Sequence, residues 1–139
     1  MNAIYQGLMP VFLEEAALKL NEMDAAYDLI CEEEGVGEAY EVLRRAAHTL
    51  KGNAASMGLD EIAEVSGAIE ALVKAAVTHP WRMEPAVLCS FRDGVEVLRQ
   101  RIDNLETGSG SFTPGEGAFV ARLHAMARRV GGTSAESAA

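Results

Sequence analysis

Apolar residues recur at alternating intervals of three and four along most of this 139-residue chain. Four segments carry the pattern. In the first segment the apolar residues are Met9, Leu13, Ala16, Leu20, Met23, Tyr27 and Ile30. In the fourth segment they are Leu88, Phe91, Val95, Leu98, Ile102 and Leu105. This spacing places the apolar side chains on one face of an α-helix, which must be buried against other helices. Four such segments therefore predict an all-α fold, an antiparallel up-down four-helix bundle.

Residues that end helices separate these segments. Gly35 and Gly37 follow the first segment, and Gly58 follows the second. Pro80 closes the third, because the residue before a proline avoids the helical conformation. Pro10 is placed near the start of the first helix, where proline is tolerated. Because the connections are short, we expect consecutive helices to pack antiparallel.

The composition changes after Glu106. Residues 107–111 read Thr-Gly-Ser-Gly-Ser, which is typical of a flexible linker. Phe119 to Val130 has the spacing of a short amphipathic helix with a basic side, and residues 131–139 are expected to be disordered. The predicted organisation is a four-helix bundle over residues 1–106, followed over 107–139 by a linker, a short additional helix and a flexible tail.

Charge and cysteine content narrow the classes of function. Twelve basic and twenty-one acidic residues give a net charge of −9, which argues against nucleic acid or anionic lipid as the main partner. No apolar run approaches the roughly 20 residues of a membrane-spanning helix. Cys31 and Cys89 lack metal-binding spacing and are expected to be reduced thiols. The sequence therefore predicts a cytoplasmic protein with no metal site, no bound nucleic acid and no membrane contact.

The stretch from Ala46 to Gly58 contains the residues with the clearest chemistry. His48 follows the core position Ala47, so it should lie at the edge of the apolar face. Lys51 and Gly52 are three and four residues further on, which places them on the same side of the helix as His48. A glycine inside a helix costs up to about 1 kcal/mol relative to alanine. Its presence here suggests that another molecule approaches the backbone.

A carboxylate is expected beside His48. His48 lies ten residues before Gly58 and Glu70 twelve after it, so an antiparallel hairpin would bring them within about 3 Å in height. By accepting a hydrogen bond from Nδ1–H, Glu70 would fix the tautomer and leave Nε2 free as the nucleophile. Lys51 would then supply positive charge for a transferred phosphoryl group. A lone helical histidine is often structural or solvated, so the residues by themselves leave both interpretations open.

The hexapeptide Ala47-His48-Thr49-Leu50-Lys51-Gly52 resembles the A-H-x-L-K-G pattern of the histidine phosphotransfer (HPt) domain family. The resemblance extends over residues 5–106, and it is strongest to the N-terminal phosphotransfer domain of chemotaxis kinases of the CheA type. The segments 9–16 (Met-Pro-Val-Phe-Leu-Glu-Glu-Ala) and 61–64 (Glu-Ile-Ala-Glu) also fit that domain. The resemblance implies a four-helix bundle whose second-helix histidine carries phosphate between proteins of a His–Asp relay.

The resemblance also implies roles for individual residues. His48 matches the phosphoacceptor and Lys51 the lysine of the motif. Gly52 matches the glycine that lets a partner come close, and Glu70 matches the third-helix carboxylate that orients the imidazole. Chemotaxis kinases commonly have a second histidine three residues before that carboxylate, where this chain has Gly67.

Residues around His48 are candidates for partner docking. Arg44 and Arg45 lie one turn before it and are either plain surface charges or contacts for an acidic receiver pocket. Gly52, Ala55 and the exposed edge of the first helix would form the floor of the docking surface.

The function implied is a phosphotransfer module that accepts a phosphoryl group on His48 and passes it to or from a receiver-domain aspartate. The expected partners are a response-regulator receiver domain, a histidine kinase, or both. Nothing in the sequence resembles a nucleotide site, so we expect no kinase activity in this chain, no cofactor, and magnesium only on the partner. Two alternatives stay open, a helical docking protein that accepts no phosphate and the N-terminal segment of a CheA-type kinase.

Overall fold

The computed structural model describes the backbone of residues 3–78, 84–107 and 114–138, and the side chains of residues 7–78, 84–107 and 118–131. These residues form five helices and no strand. The helices are α1 (Ala3–Cys31), α2 (Val36–Ser56), α3 (Asp60–Val77), α4 (Pro85–Thr107) and α5 (Pro114–Ala138). The all-α prediction is confirmed.

The first four helices form a closed bundle. α2 packs against α1 and α3, and α4 packs against the same two helices from the opposite side. The predicted apolar faces meet in the centre, where Leu43, Leu72 and Leu98 are fully buried. Tyr40 and Phe91 join α2 to α4 across the core, with ring centroids 5.8 Å apart and an edge-on arrangement that aromatic pairs favour.

A tight turn sets the register between α2 and α3. Gly58 has φ +72°, a left-handed conformation that glycine adopts without steric cost. The N–H of Leu59 donates to the carbonyl of Ala54 at 2.8 Å, and the N–H of Gly58 donates to Ala55 at 3.1 Å. This pair of hydrogen bonds is a Schellman motif, which satisfies the last carbonyls of α2. α3 therefore returns at once alongside α2.

The first helix is longer than the sequence predicted. It begins at Ala3, so Pro10 lies inside the helix and not in its first turn. A proline there removes one backbone hydrogen bond. Pro10 is exposed, so water can solvate the carbonyl group that loses its donor, while Phe12 and Ala16 are buried on the opposite side.

The additional C-terminal helix is present, but it is not short. α5 continues through residues 131–138, where the sequence suggested a flexible tail. No proline follows Pro114, so nothing removes a donor from the helical hydrogen-bond ladder. α5 packs against α3, with Leu123 and Val130 buried. The linker predicted at 107–111 lies outside the described residues except for Thr107, which ends α4, and the predicted stop at His79-Pro80 lies outside them altogether.

Within the described helices, none combines the length and the apolar character required to cross a membrane.

Candidate functional site

The imidazole of His48 and the carboxylate of Glu70 meet across the α2–α3 pair. Nδ1 of His48 lies 2.6 Å from Oε2 of Glu70. The Glu70 side chain is 4% exposed, whereas that of His48 is 61% exposed. An ionised carboxylate only accepts hydrogen bonds, so Nδ1 carries the proton in the neutral ring, and the lone pair is left on Nε2. The exposed ring therefore offers one unprotonated nitrogen to an incoming molecule.

Two lysines also lie on Glu70. Nζ of Lys51 donates to Oε1 at 2.6 Å, and Nζ of Lys74 lies 3.7 Å from Oε2. Burial, the largest single effect, raises the pKa of Glu70, but hydrogen bonds from Lys51 and His48 and the nearby lysine charges outweigh it. The net result is a pKa below the ordinary value of a glutamate. Glu70 is therefore ionised at neutral pH despite its burial.

The lowered pKa of Glu70 makes stability depend on pH. A carboxyl group with a depressed folded-state pKa stabilises the protein above its unfolded-state pKa, and this contribution is lost as the pH falls through the folded-state value. We expect the wild type to exceed Glu70→Gln in free energy of unfolding at neutral pH, and the difference to shrink below about pH 4. Urea denaturation of both proteins at neutral and acid pH measures this difference. An equal difference at both pH values would contradict the ionised state of Glu70.

Gly67 gives Lys51 the room to reach Glu70. A Cβ atom built on Gly67 would lie 3.2 Å from Cδ of Lys51, which is closer than ordinary van der Waals contact. The lysine stem thus crosses α3 over the glycine. Where the resemblance leads one to expect a second histidine, the chain has Gly67. The side chain of Lys51 fills the space that a side chain at this position would take.

Gly52 packs against no other element in the described part of the chain. A Cβ atom built on it would meet no heavy atom within 4 Å outside its own helix, and the residue is exposed. Ala55, three residues further on, is exposed as well. The surface next to His48 is therefore low and unobstructed on its C-terminal side.

The two arginines predicted as docking residues share one acidic neighbour. Arg44 donates to Glu41 through Nη2 at 2.5 Å and through Nε at 3.0 Å, and Nε of Arg45 lies 3.8 Å from Oε1 of Glu41. Both arginines keep solvent contact, with side chains 31% and 63% exposed. They form the N-terminal border of the His48 surface, but the structure does not bring them onto Glu70 as it does Lys51.

An apolar groove lies along the edge of the first helix, where the sequence predicted part of the docking floor. It lies between the N-terminal half of α1 and the C-terminal half of α2 and has a volume of about 420 Å³. Leu8 and Val11 line it and are 47% and 64% exposed, which is unusual for large apolar side chains at consecutive turns. Thr49, next to His48, lies at its border. The sequence did not identify Leu8 and Val11 as lining residues, and the signal for them is that they fall outside the regular spacing of the α1 core face.

In the part of the chain that the structure describes, no cluster of three or more His, Cys, Asp or Glu side chains is arranged to hold a metal ion. Cys31 and Cys89 are both free and exposed.

These features define a class of protein, an all-α bundle in which an exposed histidine contacts a buried, ionised carboxylate. Comparison with known proteins agrees with this class. The model of the Hpt domain family matches residues 7–108, well over half of the chain, and the chain belongs to the Hpt domain family. The predicted resemblance is thereby confirmed, and the chain is a phosphotransfer module of the two-component type.

A curated relative is the "Chemotaxis protein CheA" of Treponema pallidum (strain Nichols). It is 24% identical to this chain over 123 residues, which cover 88% of the chain. The matched region is 15% of that protein's length, so the chain corresponds to a small part of it.

Proposed function

We propose that Nε2 of His48 accepts a phosphoryl group and exchanges it with the active-site aspartate of a receiver domain. The observation that carries this proposal is the 2.6 Å contact between Nδ1 of His48 and the buried Glu70 carboxylate beneath an exposed ring. This contact selects Nε2 as the ring nitrogen that reacts.

The proposed transfer is a single displacement at phosphorus. The Nε2 lone pair attacks the phosphorus atom of an aspartyl phosphate, a P–N bond forms, and the P–O bond to aspartate breaks with the carboxylate leaving. The ring gains positive charge as the bond forms, and the Glu70 carboxylate stabilises that charge through the Nδ1 hydrogen bond. The reverse transfer uses the same atoms in the opposite order. If a kinase is the donor, ADP leaves ATP held on that partner.

The surface around His48 suits a receiver domain. Gly52 and Ala55 present a flat floor, and the groove lined by Leu8 and Val11 offers an apolar contact area beside it. Arg44 and Arg45 lie within one turn of His48 and complement the acidic pocket of a receiver. Magnesium belongs to that acidic pocket in this proposal. The chain's own residues bind the partner, orient the imidazole and stabilise charge.

Enlarging Gly52 should slow transfer without unfolding the bundle. The Gly52→Phe protein is expected to be at least as stable as the wild type, because a helical glycine is replaced where there is open space. The phenyl group would occupy the space that a partner needs, and we expect the transfer rate to fall by about tenfold or more. The rate is measured by following phosphoryl transfer from a phosphorylated receiver domain in reactions stopped at successive times. Thermal unfolding measures the stability.

Gly37→Phe is the matched control for this variant. Gly37 is also exposed, helical and free of contacts to an added Cβ, but it lies eleven residues before His48 on α2, about 16 Å away along the axis. Its replacement should leave the transfer rate unchanged. Equal rates for Gly52→Phe and the wild type would contradict the docking surface proposed here.

The proposal as a whole is tested by intact-mass analysis of the protein after incubation with phosphorylated receiver domains and with histidine kinases and ATP. We expect a single phosphoryl adduct that is labile in acid, as expected for a P–N bond. Receivers that bind the chain but never transfer phosphate to it would instead support the docking-protein alternative.

A further inference from the structure

We propose that Lys74 is a second positioning residue of this site. It keeps a positive charge beside the ionised Glu70 carboxylate when Lys51 turns towards the phosphoryl group on His48. The inference rests on the proposed function and goes beyond it, because it assigns different tasks to the two lysines. The chain has three lysines, and two of them, Lys51 and Lys74, lie on one buried carboxylate.

The two lysines lie beside different oxygens of the Glu70 carboxylate. Lys51 makes a hydrogen bond of 2.6 Å to Oε1. Lys74, one helical turn after Glu70 on α3, lies 3.7 Å from Oε2, the oxygen that also contacts Nδ1 of His48. Lys74 is thus close enough to act on the carboxylate electrostatically, and a small side-chain movement would bring it to hydrogen-bond distance.

Both lysines are free to move. Their side chains are 39% and 59% exposed, so neither is fixed by the core. The stem of Lys51 lies over Gly67, which has no side chain that would hold the stem in one direction. Arg44 is also near enough to interact electrostatically with Glu70, but it is already engaged by Glu41 at 2.5 Å.

A phosphoryl group on Nε2 changes the balance of charges. It brings two negative charges next to Lys51, and a charge-assisted hydrogen bond to phosphate would compete with the one to Glu70. Glu70 is 4% exposed, and a buried carboxylate that loses a donor is destabilised. With Lys74 beside Oε2, the carboxylate keeps a cation and stays ionised, so it continues to hold Nδ1. Without Lys74, Lys51 would be the one lysine beside both the phosphoryl group and the Glu70 carboxylate.

The competing interpretation is that Lys74 forms an ordinary surface ion pair with a residue four positions earlier, which has little effect on anything. The two interpretations differ in what happens to the rate of transfer at saturating receiver. An ordinary surface pair would leave it unchanged, whereas a positioning residue affects it without changing how tightly the receiver binds.

The test compares Lys74→Gln with Lys74→Arg, which retains the charge. We expect Lys74→Gln to lower the saturated rate of phosphotransfer by about threefold to tenfold, with the receiver concentration at half-maximal rate unchanged. Lys74→Arg should restore most of the rate. Arg99→Gln is the matched control, because Arg99 is a partly exposed cation paired with Asp24 between α4 and α1, on the side of the bundle away from α2.

Each outcome decides the inference. If the wild type takes up phosphate and Lys74→Gln transfers it at the wild-type rate, the role of Lys74 is wrong and the proposed function stands. If Lys74→Gln is slow and Lys74→Arg is equally slow, charge is not what matters, and the inference is wrong as well. If the wild type takes up no phosphate from any donor, the proposed function itself fails and the inference fails with it.

Discussion

The His48→Gln protein should take up no phosphoryl group from any phosphorylated receiver domain or histidine kinase, while its bundle stays folded. Glutamine has no ring nitrogen that can attack phosphorus, and the described structure shows no second histidine paired with a carboxylate. The His48 side chain is 61% exposed and contributes little to the core, and glutamine is a good helix former. Circular dichroism should therefore show unchanged helix content, and intact mass should show no adduct.

His124→Gln is the matched control for this variant. His124 is partly exposed on α5 and lies in no cluster that could bind a metal. Its replacement should leave phosphate uptake unchanged. An adduct on His48→Gln at the wild-type level would place the acceptor elsewhere and would overturn the assignment of His48.

Replacing Glu70 with alanine should lower the transfer rate by about 10- to 100-fold without abolishing transfer. The nucleophile remains, but the ring loses the partner that fixes its tautomer and orientation, and partners of this kind contribute on that scale. The charge that develops on the ring also loses its buried counter-ion. We expect a loss of about 1–2 kcal/mol in the free energy of unfolding, because His48 and Lys51 can turn to solvent when the carboxylate is absent. Single-turnover transfer and urea denaturation measure the two effects separately.

Two further variants define the cause. Glu70→Gln keeps the size of the side chain and an oxygen that can accept a hydrogen bond from Nδ1–H, so we expect a rate between those of the wild type and Glu70→Ala. Glu96→Ala removes an exposed carboxylate on α4 and should leave the rate unchanged. A Glu70→Ala protein that transfers phosphate as fast as the wild type would show that Glu70 does not orient the imidazole.

The bundle and the matching heights of His48 and Glu70 along their helices were predictable, because both depend on backbone periodicity. The apolar spacing determined which faces are buried, and Leu20 and Leu98 lie in the core as expected. The position of Glu70 opposite His48 followed from the rise of an α-helix and from one tight turn at Gly58. Gly52 stood out because a helical glycine without a packing reason is costly.

Other features depend on side-chain conformation or on long-range packing, which the periodicity does not contain. The path of Lys51 over Gly67 and the approach of Lys74 to Oε2 are set by rotamers. The extension of α1 before Pro10 was missed because a single proline was given too much weight as a helix start, although the helix continues on both sides of it. The length of α5 was missed because residues 131–139 were expected to be disordered, although no proline follows Pro114 to interrupt the helix.

The most direct test of the account is to determine which nitrogen of His48 carries the phosphoryl group, by long-range ¹H–¹⁵N correlation spectra of the phosphorylated wild-type protein. The account predicts phosphate on Nε2 and a proton on Nδ1, since Nδ1 lies 2.6 Å from Glu70 and points into the α2–α3 interface. A phosphoryl group on Nδ1 would contradict it, because that nitrogen could not then donate to the Glu70 carboxylate.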